Sequence, residues 1–259
     1  MNSVKIVAKR VAFIGNIFKH LPVITSIKIV TLHFLFALGA IKKPRKAIQV
    51  SIGQSKLNLP IDRFALRTFL DTFVFKYHLP LTLSENAKVI LDFGSNIGLT
   101  CFDYSLRYPN ALIQGFEIDL DNVLSARQIN ESNTRITINH LGVSDQKGTM
   151  FYNRELGSDA FALIKHSSNE SNFEPVSTES IASIFSAFDF IDFVKIDIEG
   201  TELTTLKSLT KEDVEKVREM VVEVHNAHEI TKIHELLTSL GFEVKKHEKH
   251  WSALRALRD

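Results

Sequence analysis

A glycine-rich turn between an apolar run and a helical pattern constrains the fold of this chain more than any other feature. The apolar run 89–93, Val-Ile-Leu-Asp-Phe, leads directly into Gly94-Ser95-Asn96-Ile97-Gly98. Glycine at the first turn position can adopt a positive φ, and glycine at the last allows the next helix to pack closely on the strand. The segment therefore predicts a buried strand, a ligand-binding turn and the start of a helix.

Strand and helix patterns alternate along the rest of the chain. We predict strands at 89–93, 112–118, 136–140, 190–196 and 220–224, helices at 96–107, 120–131 and 230–240 and after Gly200, a hairpin at 145–148, and an antiparallel pair at 242–246 and 252–256. Strands that alternate with helices form parallel sheets. We therefore expect an α/β, doubly wound, mostly parallel sheet with a closing antiparallel strand.

Three regions are predicted along the chain. Residues 1–48 form a basic amphipathic helical extension, 49–84 a lid or packing subdomain, and 85–259 the ligand-binding domain. Within the second region, residues 50–59 alternate as a hairpin or edge strand, and 62–77 form a helix with five residues turned inward: Phe64, Leu66, Phe69, Leu70 and Phe73. The irregular segment 153–174 is long enough to be a substrate loop.

The N-terminal region is strongly basic. Residues 1–61 contain ten Lys and Arg and no Asp or Glu, whereas the remainder carries 21 basic and 30 acidic residues. Apolar residues fall on one face of a helix that Pro22 ends: Val4, Val7, Val11, Ile14 and Phe18. A second apolar stretch, 29–41, precedes the basic residues Lys42, Lys43, Arg45 and Lys46. Basic amphipathic helices bind anionic lipid surfaces, so we expect residues 1–46 to contact such a membrane.

Two other interpretations of this region remain open. The helices could cap the core or pack on a second subunit, or they could form a spanning anchor, although the apolar stretch is shorter than the roughly 20 residues a span requires. We expect no nucleic-acid partner, because the basic residues lie beside an apolar face. Cys101 is the sole cysteine, and no signal-peptide cleavage site follows the apolar run. We therefore expect a cytoplasmic protein, in peripheral contact with the inner membrane face.

Two carboxylates at the ends of consecutive strands indicate the cofactor. Asp92 stands where a diphosphate would be repelled, but it suits the ammonium group of a cofactor that carries an amino acid. Glu117 follows the second strand at the position where ribose hydroxyls are normally bound, with Ile118 beside it. The pair indicates S-adenosylmethionine. A nicotinamide-dependent oxidoreductase, which expects a Gly-x-Gly-x-x-Gly spacing, and a non-catalytic membrane-associated binding module are the alternatives.

Three blocks resemble the FkbM family of S-adenosylmethionine-dependent methyltransferases, over about residue 50 to the C-terminus. They are 91–98, similar to the family's Asp-x-Gly-x-Asn-x-Gly turn; 142–145 with Gly148; and 194–202, Val-Lys-Ile-Asp-Ile-Glu-Gly-Thr-Glu. The chain departs from the family at 181–182, where an acid is missing. The resemblance implies a Rossmann-like class I methyltransferase fold and methyl transfer to a hydroxyl of a sugar, a glycan or a secondary metabolite, without an obligatory metal.

The expected cofactor site combines the residue arguments with the family blocks. It comprises Asp92, Gly94, Ser95, Asn96, Gly98, Glu117, Ile118, Gly142, Val143 and Asp197. Gly142 and Val143 enter only through the resemblance, which places their segment beside the adenine.

Three residues are expected to act on the acceptor. Asp197 could face the methyl group, and Glu199 could bind substrate or steady the turn at Gly200. His225 ends the fifth strand, where an imidazole could take the acceptor's proton. A hydrogen-bonded structural role for His225 remains the alternative. The same three side chains could bind a divalent cation, but we expect no metal.

Overall fold

The computed structural model describes residues 2–41, 45–153, 163–164, 172–248 and 250–258, with the backbone alone for 2–10, 45 and 46. The chain divides into two compact units, Met1–Lys76 and Tyr77–Asp259. The predicted boundary at 48/49 falls within a strand of the first unit, and the boundary at 84/85 falls within the second unit. In the described part of the chain, no helix is long and apolar enough to cross a membrane.

The first unit combines helices with one hairpin. Its elements are α1 (Asn2–His20), α2 (Val23–Ala37), β1 (Arg45–Ile52), β2 (Ser55–Ile61), α3 (Arg63–Leu70) and a π-helical turn (Asp71–Phe75). The strands are antiparallel, with Val50 opposite Leu57. The Asp62 carboxylate accepts a hydrogen bond from the Ala65 amide at 2.7 Å and so caps α3. The predicted hairpin and the predicted helix start are therefore confirmed.

The side chains predicted to face inward from α1 and α3 are partly wrong. Val11 and Phe18 are exposed, and Ile17 is the buried residue among the described side chains 11–20 of α1, because α1 packs on α2 and the π-helical turn through another side. Phe64 is also exposed, since α3 buries the face that carries Leu66 and Phe69. The side chains of Val4 and Val7 lie outside what the structure describes, and so do those of the basic residues Lys42, Lys43, Arg45 and Lys46.

The second unit alternates strands and helices as predicted. Its elements are β3 (Val89–Phe93), α4 (Leu99–Arg107), β4 (Leu112–Glu117), α5 (Leu120–Asn130), β5 (Ile136–His140), β6 (Gly142–Ser144), β7 (Gly148–Asn153), β8 (Phe173–Ser180), α6 (Ile181–Ser186), β9 (Ile191–Ile196), α7 (Glu202–Lys207), α8 (Lys211–Val214), β10 (Val217–Glu223), α9 (Ile230–Ser239), β11 (Glu243–Lys246) and β12 (Ala253–Leu257).

A seven-stranded sheet, as far as the described residues show, forms the centre of this unit, in the order β11-β12-β10-β9-β3-β4-β5. The strands β10, β9, β3, β4 and β5 are parallel, and β12 is antiparallel to both β10 and β11. The predicted doubly wound sheet with its closing antiparallel pair is confirmed. One apolar core joins the sheet to α6, α7 and α9, and the other joins it to α4 and α5.

Two local predictions in this unit are wrong. The helix predicted from residue 96 begins at Leu99, because Asn96 and Gly98 have left-handed backbone angles. The strands that flank the predicted hairpin turn at 145–148, β6 and β7, do not pair with each other. Strand β8 lies between them, parallel to β6 and antiparallel to β7, and its Thr178 is opposite both Gly142 and Gly148. Most of the predicted loop 153–174 lies outside the described residues.

Candidate active site

The carboxyl ends of β3 and β9 define the candidate site. Strand order reverses between them, since β4 and β5 follow on one side and β10 lies on the other. Ligands in open α/β sheets bind in the crevice at such a reversal. The two strand ends meet directly, because the Asp197 amide donates to the carbonyl of Phe93 at 3.0 Å.

Positive φ angles shape the turn after β3. Gly94, Asn96 and Gly98 have φ values of 78°, 49° and 75°. A side chain at Gly94 would overlap the carbonyl of Asp197, and one at Gly98 would place a Cβ 2.8 Å from the Cβ of Ala126. Close backbone approach therefore requires both glycines, while their contact with a cofactor stays a prediction.

Glu117 holds the turn against the end of β4. Its carboxylate accepts hydrogen bonds from the amides of Asn96, Ile118 and Asp119 at 2.8, 2.9 and 2.8 Å. Burial raises the pKa of Glu117 to about 7, although these amide bonds favour the charged form. The predicted ribose ligand thus lies beside the predicted turn, and its carboxylate is already oriented by backbone donors.

Among the described residues, one buried polar atom at this turn has no hydrogen-bond partner, the Ser95 hydroxyl oxygen. Asp92 Oδ1 is also buried without a hydrogen bond, but it lies 3.3 Å from the Lys195 ammonium. The other oxygen of Asp92 accepts a bond from the Thr100 hydroxyl. Buried polar atoms without partners are uncommon in folded proteins. The Ser95 hydroxyl, with the Asp92 and Glu117 carboxylates, forms a donor and acceptor set that fits a polar nucleoside cofactor.

A buried lysine joins the two strand ends. The Lys195 ammonium lies 3.3 Å from Asp92 Oδ1 and 3.0 Å from Asp197 Oδ2, and it donates to the Gly94 carbonyl at 3.1 Å. Burial opposes the charged form of Lys195, but Asp197 and Asp92 outweigh it and raise its pKa. Lys195 thus occupies a position beside Asp92 where the sequence suggested the ammonium of a cofactor.

His225 lies among the carboxylates that follow β9. Its Nδ1 is 2.7 Å from the buried Glu202 carboxylate, and its Nε2 is 3.1 Å from Glu199 and 3.5 Å from Asp197. Burial disfavours the imidazolium, but the Glu202 hydrogen bond and the charges of Asp197 and Glu199 raise the pKa of His225 to about 9. The structure therefore brings the three predicted catalytic residues together.

Four carboxylates surround the single imidazole of His225. Burial and the nearby Asp197 raise the pKa of Glu199 to about 8 and that of Glu223 to about 7. Glu199 also has a φ of 52°, an unusual value for a residue with a side chain. Asp197, Glu223 and His225 offer ligand atoms that all lie within 4.8 Å of one another. The arrangement could hold an imidazolium, a cationic group or a divalent cation.

The segment predicted to border the adenine lies close to the end of β4. A side chain at Gly142 would place its Cβ 3.3 Å from Ile118 Cγ2, so these two predicted residues are neighbours. Val143 is buried in the apolar core with Phe93 and Phe116. The structure thus brings Ile118 and Gly142 together, and it gives Val143 a packing role.

Sequence reasoning missed three charged residues of this site. Lys195 lies on β9 and Asp197 follows that strand two positions later, and His225 likewise comes two positions after Glu223, the last residue of β10. Side chains at such spacing lie on one face of a strand, so alternation could have identified Lys195 and Glu223. Glu202 comes from α7, and only the fold brings it to His225.

Comparison with known proteins assigns this part of the chain to a family. The model of the methyltransferase FkbM domain matches residues 92–244. A search of curated proteins finds no match. The match gives no support to the oxidoreductase or the non-catalytic interpretation.

Several solved structures have a similar but distant fold. A precorrin-6y C5,15-methyltransferase from Geobacter metallireducens is 13% identical, with 67% of this chain and 81% of that chain covered and a TM-score of 0.40. The fibrillarin pre-rRNA processing protein of Methanococcus jannaschii is 9% identical, with coverages of 83% and 87% and a TM-score of 0.45. Aeropyrum pernix fibrillarin with natively bound S-adenosyl-L-methionine is 12% identical, with coverages of 69% and 70% and a TM-score of 0.41.

Proposed function

Because the chain belongs to the FkbM methyltransferase family, we propose that it transfers a methyl group to a hydroxyl oxygen of a sugar, a glycan or a secondary metabolite. The cofactor is S-adenosylmethionine, which supplies a reactive methyl group when bound. The main observation behind this proposal is the hydrogen bond between His225 Nδ1 and the buried Glu202. It turns the other imidazole nitrogen, Nε2, toward the strand ends, where an acceptor hydroxyl could bind.

The turn after β3 and the end of β4 would hold the cofactor. The turn residues are Gly94, Ser95, Asn96 and Gly98, and the neighbouring residues are Asp92, Glu117, Ile118 and Gly142. Val143 packs in the apolar core and would support Gly142. The Lys195 ammonium attracts both Asp92 and Asp197, so its single positive charge offsets the repulsion between two carboxylates close to the crevice. Positioning of the two reactants could therefore supply much of the rate enhancement.

His225 is the proposed general base. An acceptor hydroxyl must lose its proton as its oxygen gains the methyl group, and a neutral imidazole Nε2 can take that proton. Glu202 binds Nδ1 at 2.7 Å and fixes the tautomer that leaves Nε2 as the acceptor. With a pKa of about 9, His225 is neutral only in alkaline solution, so turnover should rise with pH toward this value.

Asp197 and Glu199 are the proposed acceptor ligands. Both carboxylates lie within 3.5 Å of His225 Nε2 and are partly exposed. Carboxylate oxygens accept hydrogen bonds from hydroxyl groups and could orient a polyhydroxylated acceptor beside the imidazole. A sugar offers several such hydroxyls, which supports the choice of a sugar or glycan as acceptor.

The test is methyl transfer from isotopically labelled S-adenosylmethionine to a panel of glycans, lipid-linked sugars and free polyols. We expect label on a hydroxyl oxygen, and we expect His225→Ala to lose turnover while it still binds S-adenosylhomocysteine. His228→Ala, which removes an exposed histidine three residues further on, is the matched control. Label on nitrogen, or full turnover of His225→Ala, would overturn the proposal.

A further inference from the structure

Polar contacts on the inner side of α2 fix the orientation of this helix within the first unit. The Thr25 hydroxyl donates to the Ser51 carbonyl and accepts from the Ser51 amide, both at 3.0 Å. The Ser26 hydroxyl donates to the Leu21 carbonyl at 3.2 Å. Thr25 and Ser26 are fully buried, so the helix cannot turn over without losing these bonds.

The outer side of α2 is largely apolar, and exposed Thr31 is its polar member. Val23, Ile27, Phe34 and Leu38 are 63%, 53%, 41% and 78% exposed. Their spacing places them within about 60° of one another around the helix axis, on the side opposite the buried residues. A water-facing helix normally carries charged residues on that side, and a helix that is apolar all round is normally buried. This face therefore requires a partner.

The surrounding sequence indicates the chemistry of that partner. Residues 1–61 hold ten basic residues and no acid, and exposed Lys19 follows the exposed Val11 and Phe18 of α1. An exposed apolar face on a stretch of sequence that is basic and contains no acid fits a bilayer surface with anionic headgroups. A second copy of the same face would bring two strongly positive segments together, which electrostatic repulsion disfavours.

The length of α2 determines how it would meet a bilayer. Its 15 residues extend about 22 Å, less than the roughly 30 Å of a hydrocarbon core, and its inner side is bonded to the β1–β2 hairpin. We propose that the outer face of α2, formed by Val23, Ile24, Ile27, Phe34 and Leu38, docks on an anionic lipid surface with the helix lying in the plane of the interface.

The test is flotation of the full chain with vesicles of phosphatidylcholine, alone or mixed with phosphatidylserine. The chain should float with the mixed vesicles, less at high salt, and weakly with phosphatidylcholine alone. The double variant Ile27→Ser/Leu38→Ser should bind about tenfold more weakly or worse, because each lost apolar side chain removes contact with the bilayer. Leu124→Ser, at an exposed leucine of α5, should bind like the wild type.

A second measurement reports the position of the face directly. In a Trp251→Phe background, which removes the sole tryptophan, Ile24→Trp should show blue-shifted fluorescence on addition of the mixed vesicles. Absence of vesicle binding, or equal binding by the wild type and the double variant, would overturn the proposal. So would a dimer in sedimentation that the double variant abolishes without any vesicle binding, since the face would then bind a second copy.

Discussion

Replacement of Glu202 by glutamine should lower the pKa of His225 without changing the shape of the pocket. Glu202 is fully buried, and its carboxylate lies 2.7 Å from His225 Nδ1. The same carboxylate accepts a hydrogen bond from the Gly200 amide at 2.8 Å. A hydrogen bond to a charged group contributes about 1.5–3 kcal/mol, which corresponds to about one to two pKa units. Because the imidazole is partly exposed, solvent screening reduces this effect, and we expect about one unit, from about 9 to about 8.

The assay is an NMR titration of the His225 imidazole in the wild type, Glu202→Gln and the control Glu235→Gln. The control removes the same charge from an exposed position of α9 and should leave the titration unchanged. If His225 is the base, the pH profile of methyl transfer should move toward neutral pH by the same interval in Glu202→Gln. A wild-type pKa near 6.5, or an unchanged pKa in the variant, would refute the reasoning.

Three further predictions concern the second unit. Gly94→Ala should lower the free energy of unfolding by about 2–4 kcal/mol in urea, because the new methyl group would overlap the Asp197 carbonyl at a positive φ. Burial opposes ionisation of Asp103, but His78 and Arg107 lower the pKa of its carboxyl group. The ionised carboxylate therefore stabilises the folded state fully above pH 3.8, and this stabilisation is lost as the pH falls through the lowered pKa. Asp103→Asn should therefore flatten the acid limb of a stability profile. Methyl transfer should continue in the presence of EDTA. If EDTA abolished activity and zinc or magnesium restored it, a cation bound by the carboxylates around His225 would be indicated instead.

The pH dependence of stability follows from the same pocket. His225 has a raised pKa, so the stabilisation from its imidazolium is complete below pH 6.5 and is lost as the pH rises through about 9. The raised pKa of Glu199 acts in the same direction, between its usual 4.5 and about 8. Thermal melting temperatures should therefore fall between pH 7 and pH 9, and His225→Ala should reduce that fall.

Regular periodicity was sufficient to predict the central sheet. The apolar run at 191–196 is a fully buried strand, and the run at 89–93 is buried except at half-buried Val89. The glycine turn between β3 and α4 requires its positive φ angles. Periodicity failed where a long-range partner decides the outcome. The 145–148 turn has hairpin residues, but β8, from more than twenty residues further on, pairs with both flanking strands.

The site was predictable where residues are close in sequence. Asp197 and Glu199 follow one strand, and the position of His225 at the end of β10 was visible in the pattern. The contact between Glu202 and His225 joins α7 to β10 and depends on the parallel pairing of β9 with β10. The exposed apolar side of α2 was also hidden, because its orientation is set by hydroxyl contacts to Ser51 and Leu21.

Calorimetric titration of the full chain with S-adenosylmethionine, S-adenosylhomocysteine and NADH tests the central claim most directly. We expect both sulfur compounds to bind and NADH not to bind, with weaker binding in Glu117→Gln and unchanged binding in Glu131→Gln, which alters an exposed acid at the end of α5. Binding of NADH alone, or of none of the three ligands, would contradict the assignment of this crevice to S-adenosylmethionine.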